Sequence, residues 1–245
     1  MTSRLRIATF NTLADSYTGY GDYRHAPKGL MQPGARIERL IRLVSALNAD
    51  VVGLQEVEEP LAEKLSDSGW QTKWSQKEGA PDGCLTLVGN GLAIESFDAV
   101  HFSDGSGHVA QLIKVGGIAI ANTHIKWDMP NRIAQVKELV AKIPAKLEPH
   151  AVLLGDFNDR PGEPARRLVA QADFQNLLPD DMPTAYIANR EGPASIDLLA
   201  VRGLHAELVA VDLGGDFDIR EIPSNRCPSD HIPIVAEVAL PQTNG

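Results

Sequence analysis

Cysteine, aromatic residues and long apolar runs are all scarce in this chain of 245 residues. The two cysteines, Cys84 and Cys227, lie far apart and share no metal-binding motif, which excludes a disulfide framework and a thiolate zinc site. No apolar run approaches the roughly 20 residues that span a bilayer. The N-terminus also lacks the apolar segment of a signal peptide. We therefore expect a cytoplasmic protein with no membrane partner.

Basic surface is scarce as well, since the formal net charge is −9. Proteins that bind long nucleic acids usually carry a stripe of Lys and Arg that displaces counterions. The densest basic clusters are Arg36, Arg39 and Arg42 on one predicted helix and Arg166 and Arg167 on another. An acidic chain can still act on phosphates when a metal ion supplies positive charge locally. The charge therefore favours a small or short substrate over a long duplex.

Short apolar segments bounded by Gly, Pro, Asn or Asp predict a series of strands. These are Leu5–Asn11, Ala49–Glu56, Cys84–Val88, Ala99–Phe102, His108–Val115, Ile118–His124, His150–Gly155, Ser195–Val201, Ala206–Leu213 and Ile232–Val238. Helical spacing predicts a helix over Ala35–Leu47 and a second one capped by Asn131. Shorter helices are predicted at Leu61–Asp67 and Ala165–Ala172. No linker or repeat interrupts the pattern, so we predict one domain over residues 1–245, with two sheets packed face to face and helices outside.

Polar side chains follow the predicted strands where the apolar runs end. Each one alone is commonly a turn former or a hydrogen-bonded histidine. Together they supply groups that bind a hard metal ion, a phosphate or a proton, and strand ends hold such groups in fixed geometry. The candidates are Asn11, Glu56, His124, Asp156, Asn158, Asp197, Asp230 and His231.

Magnesium explains this set of side chains. It prefers oxygen ligands and is typically held by one or two carboxylates plus a substrate phosphate, which Glu56 and the side-chain oxygen of Asn11 would suit. Metal-assisted hydrolysis of a phosphoester also needs a positioned water and stabilised charge on the phosphoryl oxygens. Asp156 and Asn158 can position the water, and His231 can clamp the phosphate or exchange protons with it. We therefore predict a hydrolase that uses Mg²⁺ or Mn²⁺.

Six motifs resemble those of the endonuclease/exonuclease/phosphatase superfamily, of the pancreatic deoxyribonuclease type. They are FNTLAD (10–15), GLQEVE (53–58), NTHIKW (122–127), GDFNDRPG (155–162), SIDLL (195–199) and PSDHIPIVAE (228–237), in the family's order. FNTLADSY, DGC (82–84) and NTHIKWD (122–128) are similar to the nocturnin, Angel and poly(A)-deadenylase branch. The resemblance implies a four-layer α/β sandwich of two mixed sheets with helices outside.

The resemblance also implies roles at the metal site. Glu56 resembles the family's principal magnesium ligand, and Asp230 resembles a further ligand. Asn11 resembles the asparagine of the network around phosphate and water.

The same resemblance implies roles in catalysis. His124 is similar to the histidine that contacts the scissile phosphate. Asp156 and Asn158 are similar to the pair that positions the attacking water, and Asp197 is similar to the carboxylate that orients His231. Whether Asp156 or His231 takes the proton stays open.

Residues that would bind the substrate follow from position and residue type. The loop Ala14–Gly34 holds three tyrosines, which could stack on a nucleoside or could pin the loop to the body of the protein. Arginines in other predicted rim loops could bind a second phosphate or be solvated surface charge. The candidates are Tyr17, Tyr20, Tyr23, Lys126, Arg190 and Arg226.

Two positions depart from the deadenylases that the chain resembles. Those enzymes sandwich an adenine between a proline and a phenylalanine, and here Met129 and Gly192 stand at the two positions. We expect a monomeric phosphodiesterase that acts on RNA 3′ ends, including 2′,3′-cyclic phosphates, or on short nucleotides. One alternative is a phosphomonoesterase that removes a terminal or 2′-phosphate. A more distant alternative is a silent binding scaffold, which would be expected to have lost some of the polar residues retained here.

The net charge predicts how substrate binding depends on salt. Each neutralised phosphate of a single strand contributes roughly −0.7 to the log–log slope of the binding constant against salt. We expect a slope of magnitude about 2 or less, because few phosphates beyond the scissile one are neutralised. Poly(A) should be no better a substrate than other single-stranded RNA of equal length. A steep slope together with processive degradation of poly(A) would contradict this prediction and indicate a poly(A) deadenylase instead.

Overall fold

Two six-stranded sheets form the centre of the molecule in a computed structural model, which describes residues 4–144, 146, 148–187 and 192–241. The first sheet contains β1 (Arg4–Asn11), β2 (Val51–Glu58), β3 (Gln71–Gln76), β4 (Asp82–Val88), β13 (Ala206–Val209) and β14 (Ile234–Ala239). Its strand order is β13-β14-β1-β2-β4-β3. The two central strands of this sheet, β1 and β2, run parallel to each other.

The second sheet has the same number of strands and a parallel pair at its centre. It contains β5 (Ile94–His101), β6 (Val109–Val115), β7 (Ile118–His124), β8 (Ala151–Asp156), β9 (Gln175–Asn176) and β12 (Asp197–Arg202). Its strand order is β5-β6-β7-β8-β12-β9, and β7 runs parallel to β8. Strands β10 (Ala185–Ile187) and β11 (Gly192–Ala194) pair antiparallel in a separate two-stranded sheet, and Ala185 also forms a bridge to His231.

Helices cover the outer face of each sheet. Helices α1 (Ile37–Ala46) and α2 (Glu59–Ser66) share one apolar core with the first sheet. Helices α3 (Met129–Lys142) and α4 (Pro164–Gln171) share another with the second sheet. The predicted four-layer α/β sandwich is therefore confirmed. Within the described ranges no helix has the length and apolar character needed to cross a membrane.

The interface between the two sheets is apolar at one end and polar at the other. Alternate residues of a strand share one face, so Ile7 on β1 lies on the same face as Asn11. On β7, Ile118 lies on the same face as Asn122 and His124. The first residues of each strand join a core cluster shared by both sheets, while the later ones are buried and polar. The carboxyl ends of the central strands therefore bring buried polar side chains together at one edge of the sandwich.

The structure also corrects several predicted boundaries. Strand β3 was not predicted because its sequence, QTKWSQ, is polar and lacks a clear alternation. Strand β5 begins at Ile94 rather than Ala99. Helix α3 begins at Met129, and its cap is Asp128, whose carboxylate accepts a hydrogen bond from the Asn131 backbone N–H. Asn131 is thus inside the helix, because the proline before it fits the first turn, where no backbone N–H is needed.

Gly155 allows β7 and β8 to approach each other closely beside the polar edge, because it has no side chain. Its φ is 133°, a value that side chains disfavour. A Cβ there would lie 1.9 Å from the Thr123 carbonyl oxygen. We expect Gly155→Ala to lower the free energy of unfolding by about 1–3 kcal/mol or more, as measured by urea denaturation. Gly91→Ala is the matched control, since a Cβ at Gly91 meets nothing within 4 Å. Equal stability of the two variants would contradict this account.

Candidate active site

The Asp156 carboxylate lies at the centre of the polar edge. Its Oδ2 atom accepts a hydrogen bond from Asn11 Nδ2 at 2.9 Å. The same oxygen lies 3.7 Å from His124 Nε2 and 3.6 Å from His231 Nε2. Oδ1 accepts from the backbone N–H of Asn158 at 2.8 Å. Burial raises the pKa of Asp156 to about 7, although the positive charge of His231 opposes the shift.

His231 forms a tight pair with Asp197. Its Nδ1 lies 2.8 Å from Asp197 Oδ2, and Asp197 is held opposite Asp156 because β12 and β8 pair antiparallel at these two residues. Burial alone would lower the pKa of His231. The carboxylates of Asp197 and Asp156 outweigh burial and raise that pKa well above its ordinary value. The imidazole is therefore a cation at neutral pH, with Nε2 directed toward Asp156.

A bulge in β2 sets the position of Glu56. The pairing of β2 with β4 shifts register between Leu54 and Val57, and Glu56 has a φ of 55°. Bulges of this kind redirect a side chain next to active sites. Glu56 Oε2 accepts from the backbone N–H of Ala14 at 3.0 Å. Burial raises the pKa of Glu56, Lys77 opposes that effect, and the nearby Asp230 carboxylate adds to it.

Asn11 links the two central carboxylates. Its Nδ2 donates to Glu56 Oε1 at 3.1 Å as well as to Asp156, and its Oδ1 accepts from the backbone N–H of Leu13 at 2.9 Å. The amide therefore keeps two buried acids close together by donating to both. A carbonyl oxygen has two lone pairs, so Asn11 Oδ1 could bind a metal ion while it accepts from the Leu13 N–H. The role of Asn11 as a metal ligand remains a prediction.

His124 stands beside Asp156 at the end of the neighbouring strand. The two residues are register partners in the parallel pair β7 and β8. Asn158 has a φ of 47°, and its Nδ2 lies 3.1 Å from His124 Nε2 and donates to the Ile125 carbonyl at 2.9 Å. Burial lowers the pKa of His124 well below its ordinary value, and Lys77 lowers it further. His124 is therefore neutral, in contrast to His231.

Two buried charged residues at this site were not predicted. Lys77 Nζ donates to Asp82 Oδ2 at 2.6 Å and lies 3.2 Å from His124 Nδ1. Tyr17 donates its hydroxyl to the other Asp82 oxygen at 2.6 Å. Lys77 directly follows β3. The other candidates are polar residues at the ends of predicted strands, and Lys77 meets the same criterion, but its strand is too polar to be predicted. Asp82 begins the DGC motif, which resembles the family but did not by itself indicate a role for Asp82.

His108 is a further residue that the sequence did not single out. Its ring stands edge-on to that of His124, with centroids 5.7 Å apart. Burial and the neighbouring Lys77 lower the pKa of His108 to about 4, and Lys126 adds to the shift. Lys126 therefore lies on the same side of the site as the two histidines.

The three tyrosines of the loop after β1 have different environments. Tyr17 and Tyr23 are held by their hydroxyls, which donate to Asp82 and Asp230, each at 2.6 Å. Burial and these carboxylates raise the pKa of both phenols. Tyr20 is 80% exposed and contacts Tyr17 with ring centroids 6.0 Å apart. Two of the tyrosines therefore fasten the loop to the site, and Tyr20 presents an open ring.

The remaining candidates lie farther from Asp156 or outside the described residues. Asp230 is the acceptor for Tyr23 and belongs to neither compact group of ligand atoms described below. Arg226 lines a groove with Arg39 and Arg42 of α1, away from the catalytic side chains. Arg190 lies outside the described residues. The substrate-binding roles of these residues remain predictions.

Two groups of side chains at the centre can hold a divalent metal ion. Glu56, His124 and Asp156 each offer a ligand atom, and these atoms lie within 4.8 Å of one another. Asp156, Asp197 and His231 form a second such group. The first group suits a hard cation better, because Asp197 is already paired with the His231 cation. Burial raises the pKa values of Glu56 and Asp156, as happens where no bound cation balances buried carboxylates. A bound cation would favour their charged forms.

The family follows from comparison with known proteins. The model of the endonuclease/exonuclease/phosphatase family matches residues 8–231. The chain belongs to this family. The sequence is 25% identical over 201 residues to protein angel homolog 2 of Danio rerio, and the match covers 69% of this chain and 35% of that protein. The chain thus spans about a third of the length of the curated relatives it matches.

Solved structures share the fold at low sequence identity. A crystal structure of ANGEL2, described as a 2′,3′-cyclic phosphatase, has a TM-score of 0.79 and 18% identity, covering 98% of this chain and 96% of that chain. The human nocturnin catalytic domain with bound sulfate has a TM-score of 0.71 and 17% identity, covering 97% of this chain and 94% of that chain. These similarities confirm the predicted resemblance to the Angel and nocturnin branch.

The charge state of His231 predicts a pH-dependent stability of the metal-free protein. A histidine whose pKa is raised by folding stabilises the fold fully below the unfolded pKa, and this contribution is lost as the pH rises through the folded pKa. Above about pH 6.5 we therefore expect stability to fall, with His231 contributing no more than about 1.4 kcal/mol per pH unit. Asp156, whose pKa is raised to about 7, adds to this fall near neutral pH. His124 does not oppose this trend, because its lowered pKa keeps it neutral throughout that range.

Urea denaturation in excess chelator at several pH values above 6.5 measures this slope. Asp197→Asn removes the largest of the charges that raise the His231 pKa, so its slope should be clearly smaller. Parallel curves for the wild type and Asp197→Asn would show that Asp197 does not hold the proton on His231.

Proposed function

We propose that the protein is a Mg²⁺- or Mn²⁺-dependent phosphodiesterase that acts on RNA 3′ ends, including 2′,3′-cyclic phosphates, or on short nucleotide substrates. The observation that carries the proposal is the arrangement around Asp156. One buried carboxylate oxygen faces a neutral histidine on one side and a charged histidine on the other. Since residues from 11 to 231 build this one site, we also propose that the chain acts as a single catalytic domain.

The two central acid–base groups have different roles in this proposal. His231 already holds its proton, because Asp197 and Asp156 stabilise the cation. It therefore donates a hydrogen bond to a phosphoryl oxygen from Nε2 and stabilises the charge that develops there. Asp156, with a pKa of about 7, is the group that can accept a proton from the attacking water near neutral pH. Asp156 is thus the base that the sequence left undecided.

His124, Asn158 and Lys77 complete the phosphate side of the site. Neutral His124 can donate one hydrogen bond without adding charge. Asn158 is fixed by its contacts with Asp156 and Ile125, so it can orient the water. Lys77, which is paired with Asp82, brings a positive charge next to His124. Because the net charge of the chain is −9, an anionic phosphate is attracted only where local cations such as Lys77 make the electrostatic potential positive.

A divalent ion would be held by Glu56, with Asn11 and Asp230 as the further ligands that the family resemblance implies, which leaves Asp156 to act as the base. Such an ion would supply positive charge that stabilises the phosphoryl oxygens and the leaving oxygen. The oxygen-rich donor set is the one that Mg²⁺ and Mn²⁺ prefer.

The chemistry of the relatives supports the choice of substrate. ANGEL2 is described as a 2′,3′-cyclic phosphatase, and the low basic content of the present chain favours a substrate with few phosphates. A second candidate is a phosphomonoesterase that removes a terminal or 2′-phosphate. It is favoured by Lys77, which lowers the pKa of both His108 and His124, and by Lys126, which lowers the pKa of His108. These two cations could balance a dianionic monoester. Assays on cyclic phosphate ends, single-stranded RNA and nucleotide monoesters separate the two.

Glu56→Gln tests the metal dependence. We expect a loss of roughly 100-fold or more in kcat/KM, because the amide cannot replace a charged metal ligand. The fold should be retained, since the amide oxygen can still accept from Asn11. Chelation of the wild type should abolish activity, and Mg²⁺ or Mn²⁺ should restore it. Added Mg²⁺ should raise the Tm of the wild type and not that of Glu56→Gln.

Glu59→Gln is the matched control, since Glu59 is an exposed acid in the first turn of α2. It should keep wild-type activity and the Tm shift. Full activity of the wild type in excess chelator would refute the metal dependence.

A further inference from the structure

Trp127 is an exposed indole beside the proposed active site. Its side chain is 67% exposed, and that of Met129 is 50% exposed. Tryptophan is large and is usually well buried, so its exposure here needs an explanation. Trp127 lies in the loop that connects His124 to helix α3, and Met129 is the first residue of that helix. Because consecutive Cα atoms are 3.8 Å apart, the Cα of Trp127 lies within about 11 Å of that of His124.

The backbone that carries Trp127 is fixed on both sides. The Lys126 N–H donates to Gln135 Oε1 at 2.8 Å. The Trp127 carbonyl accepts from Arg132, which is itself bound to Asp159 and Glu163. The exposed ring is therefore presented from a rigid loop, which lowers the entropy cost of binding a ligand against it.

The same network ties this loop to the catalytic side chains. Asp159 lies in the GDFNDRPG motif, only three residues after Asp156. The Ile125 N–H donates to the Asp156 carbonyl at 2.8 Å. A ligand on Trp127 and a phosphate at His124 are thus held in one fixed frame.

Met129 and Gly192, the two positions at which the sequence departs from the deadenylases that it resembles, offer no aromatic ring for this purpose. Gly192 has no side chain, and its φ of 71° disfavours any replacement that has one. Position 129 is a flexible methionine rather than a ring. An acidic chain also gains little affinity from phosphates beyond the scissile one. Apolar stacking is the remaining source of affinity for a nucleotide.

We propose that Trp127, flanked by Met129, is a stacking platform for the nucleobase attached to the scissile phosphate. The inference rests on the proposed function and adds the group that recognises the substrate. Stacking on an aromatic ring tolerates every base, because each base has a π-face. The platform therefore selects for nucleotides over base-free phosphoesters and distinguishes weakly among bases. Tyr20, the other exposed ring, is the rival position.

Paired substrates test the platform through activity. Adenosine 2′,3′-cyclic phosphate is compared with methyl riboside 2′,3′-cyclic phosphate, which lacks the base. Trp127→Ala should lower kcat/KM on the adenosine substrate about 5- to 150-fold and on the base-free substrate much less. Trp127→Phe should restore most of the loss, since a phenyl ring also stacks. Leu208→Ala, which removes an exposed apolar side chain on β13, should leave both rates unchanged.

Binding gives a readout that does not depend on turnover. Adenosine 3′-monophosphate and uridine 3′-monophosphate should both quench tryptophan fluorescence, and ribose 5-phosphate should not. The quenching should be lost in Trp127→Phe and retained in Trp70→Phe, because Trp70 packs against the core of the first sheet.

The outcomes separate the two proposals. Equal losses on both cyclic substrates in Trp127→Ala, or a selective loss in Tyr20→Ala instead, would overturn the platform. Quenching that survives in Trp127→Phe would overturn it as well. Quenching by nucleotides through Trp127, without cleavage of either substrate in Mg²⁺ or Mn²⁺, would retain the platform and reject the proposed reaction.

Discussion

The burial of the Asp156 carboxylate between two imidazole rings is the interaction on which the rest of the site depends. A buried carboxylate is costly unless its oxygens are hydrogen-bonded or paired with positive charge. Asn11, Asn158 and His231 meet this requirement from three separate parts of the chain. The central strands of both sheets must therefore end at one edge, so the catalytic geometry and the packing of the sandwich are the same constraint.

A buried polar layer between the sheets supports that edge. Gln55 Nε2 donates to Asn122 Oδ1 at 2.7 Å, and Asn122 donates in turn to the Leu54 and Leu85 carbonyls. Thr86 donates to Gln111 Oε1 at 2.8 Å. Directional contacts of this kind fix side chains more precisely than apolar packing does, and networks of them rigidify a core. The apolar half of the interface stabilises the packing of the two sheets through hydrophobic burial, and the polar half fixes the positions of the side chains next to the site.

Buried arginines hold the loops that surround the site. Arg36 donates to the Thr12, Leu13 and Pro228 carbonyls, which joins the loop after β1 to the loop before β14. Arg166 donates to the Asp197 carbonyl and so supports the carboxylate that orients His231. These contacts explain why several arginines of an acidic protein are unavailable to a substrate. Lys77, Lys126 and the exposed rings remain to bind it.

The sequence by itself determined the family, the sandwich that the family resemblance implies, and the candidate residues of the site. The polar group at the end of each apolar run is a local property that the sequence shows directly. Glu56, His124, Asp156 and His231 could therefore be found without a structure. The two parallel strand pairs and the order of the strands could not be read from the sequence, because they depend on which distant segments pack together.

Only the tertiary structure decided the roles of residues whose meaning lies in their neighbours. Lys77 follows a polar strand with no recognisable pattern. His108 becomes part of the site because it directly precedes β6, which pairs with the strand that carries His124. Opposite charge states of His124 and His231 arise from the carboxylates and cations around each ring. The exposure of Trp127 likewise depends on the loop that Arg132 holds. Burial and charge environment are set by contacts between residues far apart in the chain, and local sequence patterns do not encode them.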